Sequence, residues 1–405
     1  MFKNRLFLHS PALFFILFFR ASLDPVLEFT KIGGIGLGAL LNLLVVVLFF
    51  ICCKNNKFVL PKSFLYVWGA FICIGLASII VSPDKVQSLR SFFSILTYWA
   101  MFCFVYFFVK DDHDLKFFLR FTIYSSIVPF IFVFFELLFP EGSTTRNGFR
   151  LFGSFSHPNI FAFYLVLITT LCFFCIKTRL FIFSKQFIRR VKIILFISLI
   201  CLVMTKTRSA WLALIIMFSV YALLIERRYL LYLFLSLLML LLIPEVQDRV
   251  LDIFSGSGVD SLDVGESLNS YEWRKVVWFA SWDYIAERPF LGHGYDTFSY
   301  YFLDFFPLEE SKGFDAHNAY VQITFDMGFL GLFAYLLIFT FIMKRLLIQF
   351  KKDKKGTSII IGLVISYLVA GYSDNMLFYL SYNWYFWGLL GGFFFKKNSC
   401  KRAVI

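Results

Sequence analysis

The chain has 405 residues, 60% of them hydrophobic and 21% aromatic, with 58 Phe and a mean hydropathy of +0.76. Such a composition lies far outside that of soluble globular proteins and predicts an all-α polytopic membrane protein. The net charge of +13, from 39 basic and 26 acidic residues, then reads as an orientation signal and a contact with an anionic leaflet, which excludes a nucleic-acid footprint as its meaning.

Apolar stretches near the roughly 20 residues a helix needs to cross a bilayer recur about twelve times. They fall near 6–22, 33–53, 64–82, 91–109, 117–139, 158–176, 191–205, 209–225, 229–243, 320–343, 358–374 and 379–395. The first resembles a signal peptide but ends at Arg20 without a small-x-small cleavage site, so it reads as a retained span. Seven of the eight Cys sit in these spans or at their ends, which gives no disulfide framework. Cys172 and Cys175 have CxxC spacing but lie beside Phe173 and Phe174, with no basic neighbour to stabilise a thiolate.

Basic residues accumulate in cytoplasmic loops. With the N-terminus inside, the inside segments carry 26 of the 39 Lys and Arg. This arrangement places both termini in the cytoplasm and divides the chain into helices 1–9 over 1–243, a large periplasmic loop over 244–317, and helices 10–12 with a cytoplasmic tail over 318–405. The loop holds 14 of the 26 acidic residues. Within it, Ser255 to Ser270 and Phe302 to Phe314 read as exposed loop, and Tyr271 to Arg288 has helical periodicity.

Six groups of polar residues stand out on the extracytoplasmic side. Arg20 follows the first span. Thr145 to Asn159 adds Arg146, Arg150, His157 and Asn159; Pro158 marks a helix start, so His157 and Asn159 either cap that helix or face a ligand. Thr205 to Trp211 is a very short connection in which Arg208 precedes the small residues Ser209 and Ala210. Its cation sits at membrane depth, where an unpaired charge is costly, whereas Lys206 fits snorkelling to headgroups.

On the predicted 271–288 helix, Arg274, Trp278 and Trp282 share a face. A guanidinium followed by two indoles suits an anionic, sugar-containing ligand; an interfacial helix with an aromatic belt is the alternative. Pro289 ends the helix, and Gly292 and Gly294 flank His293 in a turn whose N–H groups can accept an anion. The last group is His317-Asn318, followed after nine residues by Gly328 and then Gly331. An imidazole at the membrane boundary can take a proton near neutral pH, and Asn318 can orient it or a substrate hydroxyl.

Taken together, Arg150 to Asn159, Thr207 to Trp211, Arg274 with Trp278, Pro289 to Gly294 and the His317-Asn318-x9-Gly328-x2-Gly331 pattern resemble the O-antigen ligase and polymerase superfamily. The order of the motifs and the large loop before the His span match across nearly the whole chain. The resemblance implies a metal-independent glycosyltransferase, without cofactor, that moves a glycan from undecaprenyl diphosphate to an acceptor hydroxyl at the periplasmic face of the bacterial inner membrane. Ligases use the lipid A core as acceptor, and polymerases use another lipid-linked repeat unit.

By the same resemblance Arg208 and Arg274 contact the donor diphosphate and His317 helps activate the acceptor, with membrane lipid and these glycans as partners. Asn318, Arg150, Arg20, Trp278, Trp282, Gly292 and Gly294 are candidate substrate contacts. No DxD-like carboxylate pair sits near the first span; Asp24 and Glu28 suggest local pairing with Lys31. A flippase is the competing class, but it needs polar residues at midplane depth and two related halves. Here the polar residues gather on one side, and the YSDN stretch from Tyr372 to Asn375 does not separate ligase from polymerase.

Overall fold

The computed structural model describes residues 40, 42–47, 49–50, 61–109, 111–145, 148–178, 180, 182–251, 270–306 and 312–399. The first predicted span, Arg20, Asp24, Glu28 and Lys31 fall outside them, as do most of the second span and the stretch from 255 to 269.

Each predicted span from 64 to 395 coincides with helix. In chain order these are α1 (Lys62–Ile80), α2 (Lys85–Phe108), α3 (Asp112–Tyr124), α4 (Ile127–Leu138), α5 (Pro158–Lys177), α6 (Lys185–Met204), α7 (Arg208–Leu224) and α8 (Arg228–Leu240). The polar interval supplies α9 (Pro244–Leu251), α10 (Ser270–Ala280), α11 (Trp282–Glu287) and α12 (Phe298–Phe305). The chain then continues through α13 (Ala319–Phe350), α14 (Lys354–Ala370) and α15 (Leu380–Ser399). Among the described residues the β structure is one short hairpin, β1 (Thr144–Thr145) paired antiparallel with β2 (Gly148–Phe149).

Among the described residues, Lys62–Ile80, Lys85–Phe107, Asp112–Leu138, Pro158–Lys177 and Ala319–Phe350 are long and apolar enough to cross a membrane. The shorter apolar helices α7 and α8 add to this character. Outward-facing Phe134, Phe135, Leu137 and Leu138 on α4 and Phe139 just after it are exposed, and α8 has no fully buried residue. Apolar surface on that scale fits a multi-pass protein seated in lipid.

Helix starts follow side-chain caps. Asp84 accepts from Gln87 N at the start of α2, Asp111 from Asp114 N at α3, Ser184 from Phe187 N at α6 and Asp353 from Gly356 N at α14, each satisfying an otherwise unpaired N–H. The span expected at 117–139 corresponds to Asp112–Leu138 and bends at Ser125 and Ser126, whose hydroxyls donate to the carbonyls of Thr122 and Ile123, a local bond that bends helices. Two expectations about boundaries change. The single helix over 271–288 is interrupted at Ser281. Part of the expected loop from Phe302 to Phe314 is helix α12, because Phe298, Phe302 and Phe306 bury one apolar face against Phe325 and Val277.

In the bundle α2 packs on α15, α7 on α14, α5 on α6 and α1 on α13. Lipid tails are as apolar as Leu, so close backbone approach at small residues helps to hold such pairs. Gly391 of α15 lies against the Phe102 backbone of α2, and a Cβ on Gly362 of α14 would stand 2.8 Å from the Met217 carbonyl of α7. At the predicted cytoplasmic end, Glu226 accepts from Lys177 (3.4 Å), Lys355 (3.1 Å) and Tyr221 (2.8 Å), and pairs with Arg228. This clamp joins α5, α8 and α14. Burial alone would raise the Glu226 carboxyl, but hydrogen bonds from Arg228, Tyr221 and Lys355 and the Lys177 charge outweigh it and hold the group well below the usual carboxylate range.

Candidate active site

Asp374, in the turn between α14 and α15, is fully buried and organises the other end of the bundle. Its carboxylate accepts from Tyr379 OH (2.7 Å), Ser209 Oγ (2.6 Å) and Asn159 Nδ2 (3.2 Å). A buried carboxylate needs such partners. Asn159 Oδ1 in turn accepts from Arg150 Nη2 at 3.1 Å and Thr207 Oγ1 at 3.3 Å. Arg150 completes the knot by donating Nε to the Thr205 carbonyl (2.8 Å) and Nη2 to Thr207 Oγ1 (3.0 Å). Residues 150–159, 205–209 and 374–379 are thus tied into one network. The N-terminal ends of α5 and α7 meet in it, and each contributes positive dipole.

His157 caps α5, with Nδ1 accepting from Asn159 N at 3.1 Å. Desolvation and the Arg150 charge lower its pKa, against the pull of Asp374. His317 completes the arrangement. Its backbone is left-handed, at φ 48°, and neighbouring bonds hold it there: Ala316 O accepts from Trp278 Nε1 at 2.7 Å, and Ala316 N donates to Gln322 Oε1 at 3.0 Å. The Trp273 ring stands edge-on to the imidazole at 6.2 Å. Burial first, then the Arg274 guanidinium, lower the His317 pKa to about 4; Asp374 opposes this and His157 adds to it. His317 is therefore neutral at pH 7, with a lone pair available.

The Arg274 charge also reaches Tyr379. Among the described residues Arg274 makes no hydrogen bond or ion pair, so the guanidinium stands beside the imidazole with its donors unassigned. Among the described residues, the three non-glycine residues with positive φ, Lys206, Asp296 and His317, all lie in or beside the predicted motifs, and such backbone strain gathers at functional sites.

The glycine motifs have a different role from the anion turn expected of them. The N–H groups of Gly292, His293 and Gly294 donate to the carbonyls of Arg288 (3.0 Å), Phe325 (2.9 Å) and Asp326 (3.0 Å), so none is left for an anion. Gly292 has φ 68° and lies against the Phe325–Met327 backbone, and Gly294, at φ 118°, lies against Ser82. Opposite them Gly328 kinks α13 with φ 67° and ψ −175°, and a Cβ there would run into Phe290. Phe329 N donates to the Pro289 carbonyl at 2.7 Å. The Pro289–Gly294 turn and the His317-to-Gly331 pattern are therefore two halves of one joint.

Gly328 occupies a backbone region open essentially to glycine alone, where strain costs about 1–3 kcal/mol. Gly328→Ala should lower the melting temperature of the detergent-solubilised protein. An unchanged melting curve would show that the kink is not needed.

Asn318 caps α13, its Oδ1 accepting from Tyr320 N (2.9 Å) and Val321 N (3.2 Å), and it is buried. This orients the His317 segment from inside the fold. Arg150 likewise bonds within the chain. Trp278 spends its N–H on Ala316, whereas Trp282 is 57% exposed, with Phe329 beside it. Arg208 begins α7 next to Ser209, which bonds Asp374. Asp374, Tyr379 and Gln322 were not singled out from sequence. A fully polar turn, Ser-Asp-Asn, between two apolar spans is the signal that marks Asp374. Cys172 and Cys175 are buried free thiols in α5.

Residues 193–336 match the family model described as O-Antigen ligase. Over that segment the chain is similar to the O-antigen ligase family. The matched segment runs from α6 into α13 and contains Arg208, Arg274, the glycine joint and His317. The partners that α5 and the 374–379 turn bring to them lie outside it. No curated protein matches the chain. That similarity points to lipid-linked glycan substrates in general and an activity of the glycosyltransferase type.

Proposed function

We propose that the protein is an O-antigen ligase-type glycosyltransferase that moves a glycan from undecaprenyl diphosphate to a hydroxyl of the lipid A core at the periplasmic face of the bacterial inner membrane. The observation that carries this reading is the pairing of a neutral His317 with the Arg274 guanidinium inside the family-matched segment. In the transfer, the acceptor oxygen bonds to the anomeric carbon. The bond from that carbon to the diphosphate oxygen breaks and leaves its electron pair on the diphosphate, while the hydroxyl proton passes to His317.

Charge builds on the leaving diphosphate, and the Arg274 and Arg208 guanidinium groups meet it with fixed donors, stronger in the transition state than in the ground state. The arriving diphosphate also offsets the effect of Arg274 on the imidazole. His317 thus becomes a stronger base once the donor is in place. In this division of labour no metal is required.

The test is transfer by purified protein in detergent, in chelator, with undecaprenyl-diphosphate-linked glycan offered with and without lipid A core, and products resolved by size. Glycan on the core supports the ligase reading. A ladder formed without core identifies a polymerase that uses a second lipid-linked repeat unit, and donor binding without covalent product points to a flippase.

A further inference from the structure

A cavity of about 370 Å³ lies between the α1–α2 turn and the segment from Asp296 to Tyr300. Asp84, Gln87, Ser88, Asp296, Ser299 and Tyr300 line it, and Gly313 closes it four residues before His317. Among the described residues no Lys or Arg lines it, so its chemistry is opposite to that of the cationic centre and unsuited to a diphosphate.

Carboxylates accept hydrogen bonds from hydroxyls, a side-chain amide both donates and accepts, and an aromatic ring offers a flat apolar face with a polar tip. Tyr300 presents such a ring, 62% exposed. This mixture, in a concave site of ligand size, matches a sugar ring better than an apolar or anionic ligand.

The wall is rigid. Asp296 is held at φ 61°, its N–H donates to Asp326 Oδ2 at 2.9 Å, and its own carboxylate accepts from Ser91 Oγ. Thr297 N donates to Asp326 Oδ1 at 3.2 Å. The cavity is also coupled to the reacting segment. Asp315, two residues from His317, is pushed up to about 6 by burial and by the Asp296 charge, which places the two carboxyl groups within electrostatic reach.

We propose that this cavity is a saccharide subsite of the acceptor, which grips the hydroxyl groups of a sugar ring next to the one presented to His317. The proposal rests on the transfer reading above and adds to it a specificity-determining pocket with one wall from the α1–α2 turn, which lies outside the segment that matches the family. The acceptor is assigned because the pocket wall runs directly into the His317 segment, while the donor diphosphate belongs with Arg274.

The variants that test it are Gln87→Ala, Tyr300→Ala and the pair combined, in the full-length purified protein. One readout is saturation-transfer NMR with soluble core oligosaccharide released from lipopolysaccharide by mild acid. The other is steady-state transfer with acceptor and donor varied separately. The double variant should lose the oligosaccharide signal and raise the acceptor KM about tenfold, the loss expected for a hydrogen bond and a ring face, with kcat and the donor KM unchanged.

Wild-type binding and acceptor KM in the double variant would overturn the subsite, and so would a rise confined to the donor KM. If the wild-type protein forms no product while oligosaccharide binding still depends on Gln87 and Tyr300, the transfer reading fails and the subsite stands.

Discussion

Replacing His317 with Asn should lower the transfer rate by about 100- to 10,000-fold, the range a positioned general base supplies. The variant should still bind the donor, because Arg274 and Arg208 remain. Burial and the Arg274 charge lower the pKa of His317 to about 4, so its base form persists well below the ordinary imidazole value. In the wild-type protein, kcat/KM should therefore hold nearly constant as pH falls from 7 toward 5 and drop only as the imidazole protonates near pH 4. The limb for kcat should lie higher, since the bound diphosphate favours the protonated form. A kcat/KM limb at or above about 6.5, the value of an unperturbed imidazole, would remove His317 from the role of base. A rate for His317→Asn within a few-fold of wild type would do the same.

Much of this arrangement was legible in the sequence, and the reasons differ by residue. Hydropathy located the helices because each apolar run in a membrane must satisfy its own backbone, and helix is found at every predicted span from 64 onward. Caps and breaks were less visible. The hydroxyls of Ser125 and Ser126 bond carbonyls within the helix, which no periodicity reveals. Arg274, Arg208 and His317 stood out because charge and imidazole are rare in such a composition.

What sequence could not supply was partnership. Asn159, Ser209 and Asp374 are separated by up to 215 positions, yet they share one carboxylate. Arg150 reads as a ligand contact and is found bonded to Thr205 and Thr207. The Gly292 and Gly294 pair reads as an anion turn until Gly328 is seen across from it. A left-handed glycine and a close backbone approach leave the same letter in a sequence, and only the opposing strand of chain tells them apart.

Asp374 links the two levels of the site. Through Asn159 and Ser209 it fixes the N-terminal ends of α5 and α7, and its negative charge partly offsets the effect of Arg274 on His317. The site carries a net positive charge before any ligand arrives: one buried carboxylate anchored by neutral donors, against the guanidinium groups of Arg150, Arg208 and Arg274. A dianionic leaving group completes the guanidinium side.

Arg274 therefore carries two separable duties, and a pair of variants should divide them. Arg274→Ala removes a charge-assisted donor aimed at the departing diphosphate, and transfer should fall on the order of 100- to 1,000-fold. It also removes the largest electrostatic cause of the lowered His317 pKa, so the kcat/KM limb should move up from near pH 4. Arg274→Lys keeps the charge but loses the planar fork. Its limb should stay low while its rate falls, since a point charge depresses the imidazole as before yet cannot hold two diphosphate oxygens at once. Should Lys restore the rate as well as the limb, the guanidinium acts by charge alone and bidentate binding is the wrong description. Should Ala leave the limb in place, Arg274 and His317 do not share a site, and the shared centre proposed for donor and acceptor must be redrawn around Arg208 and Asp374.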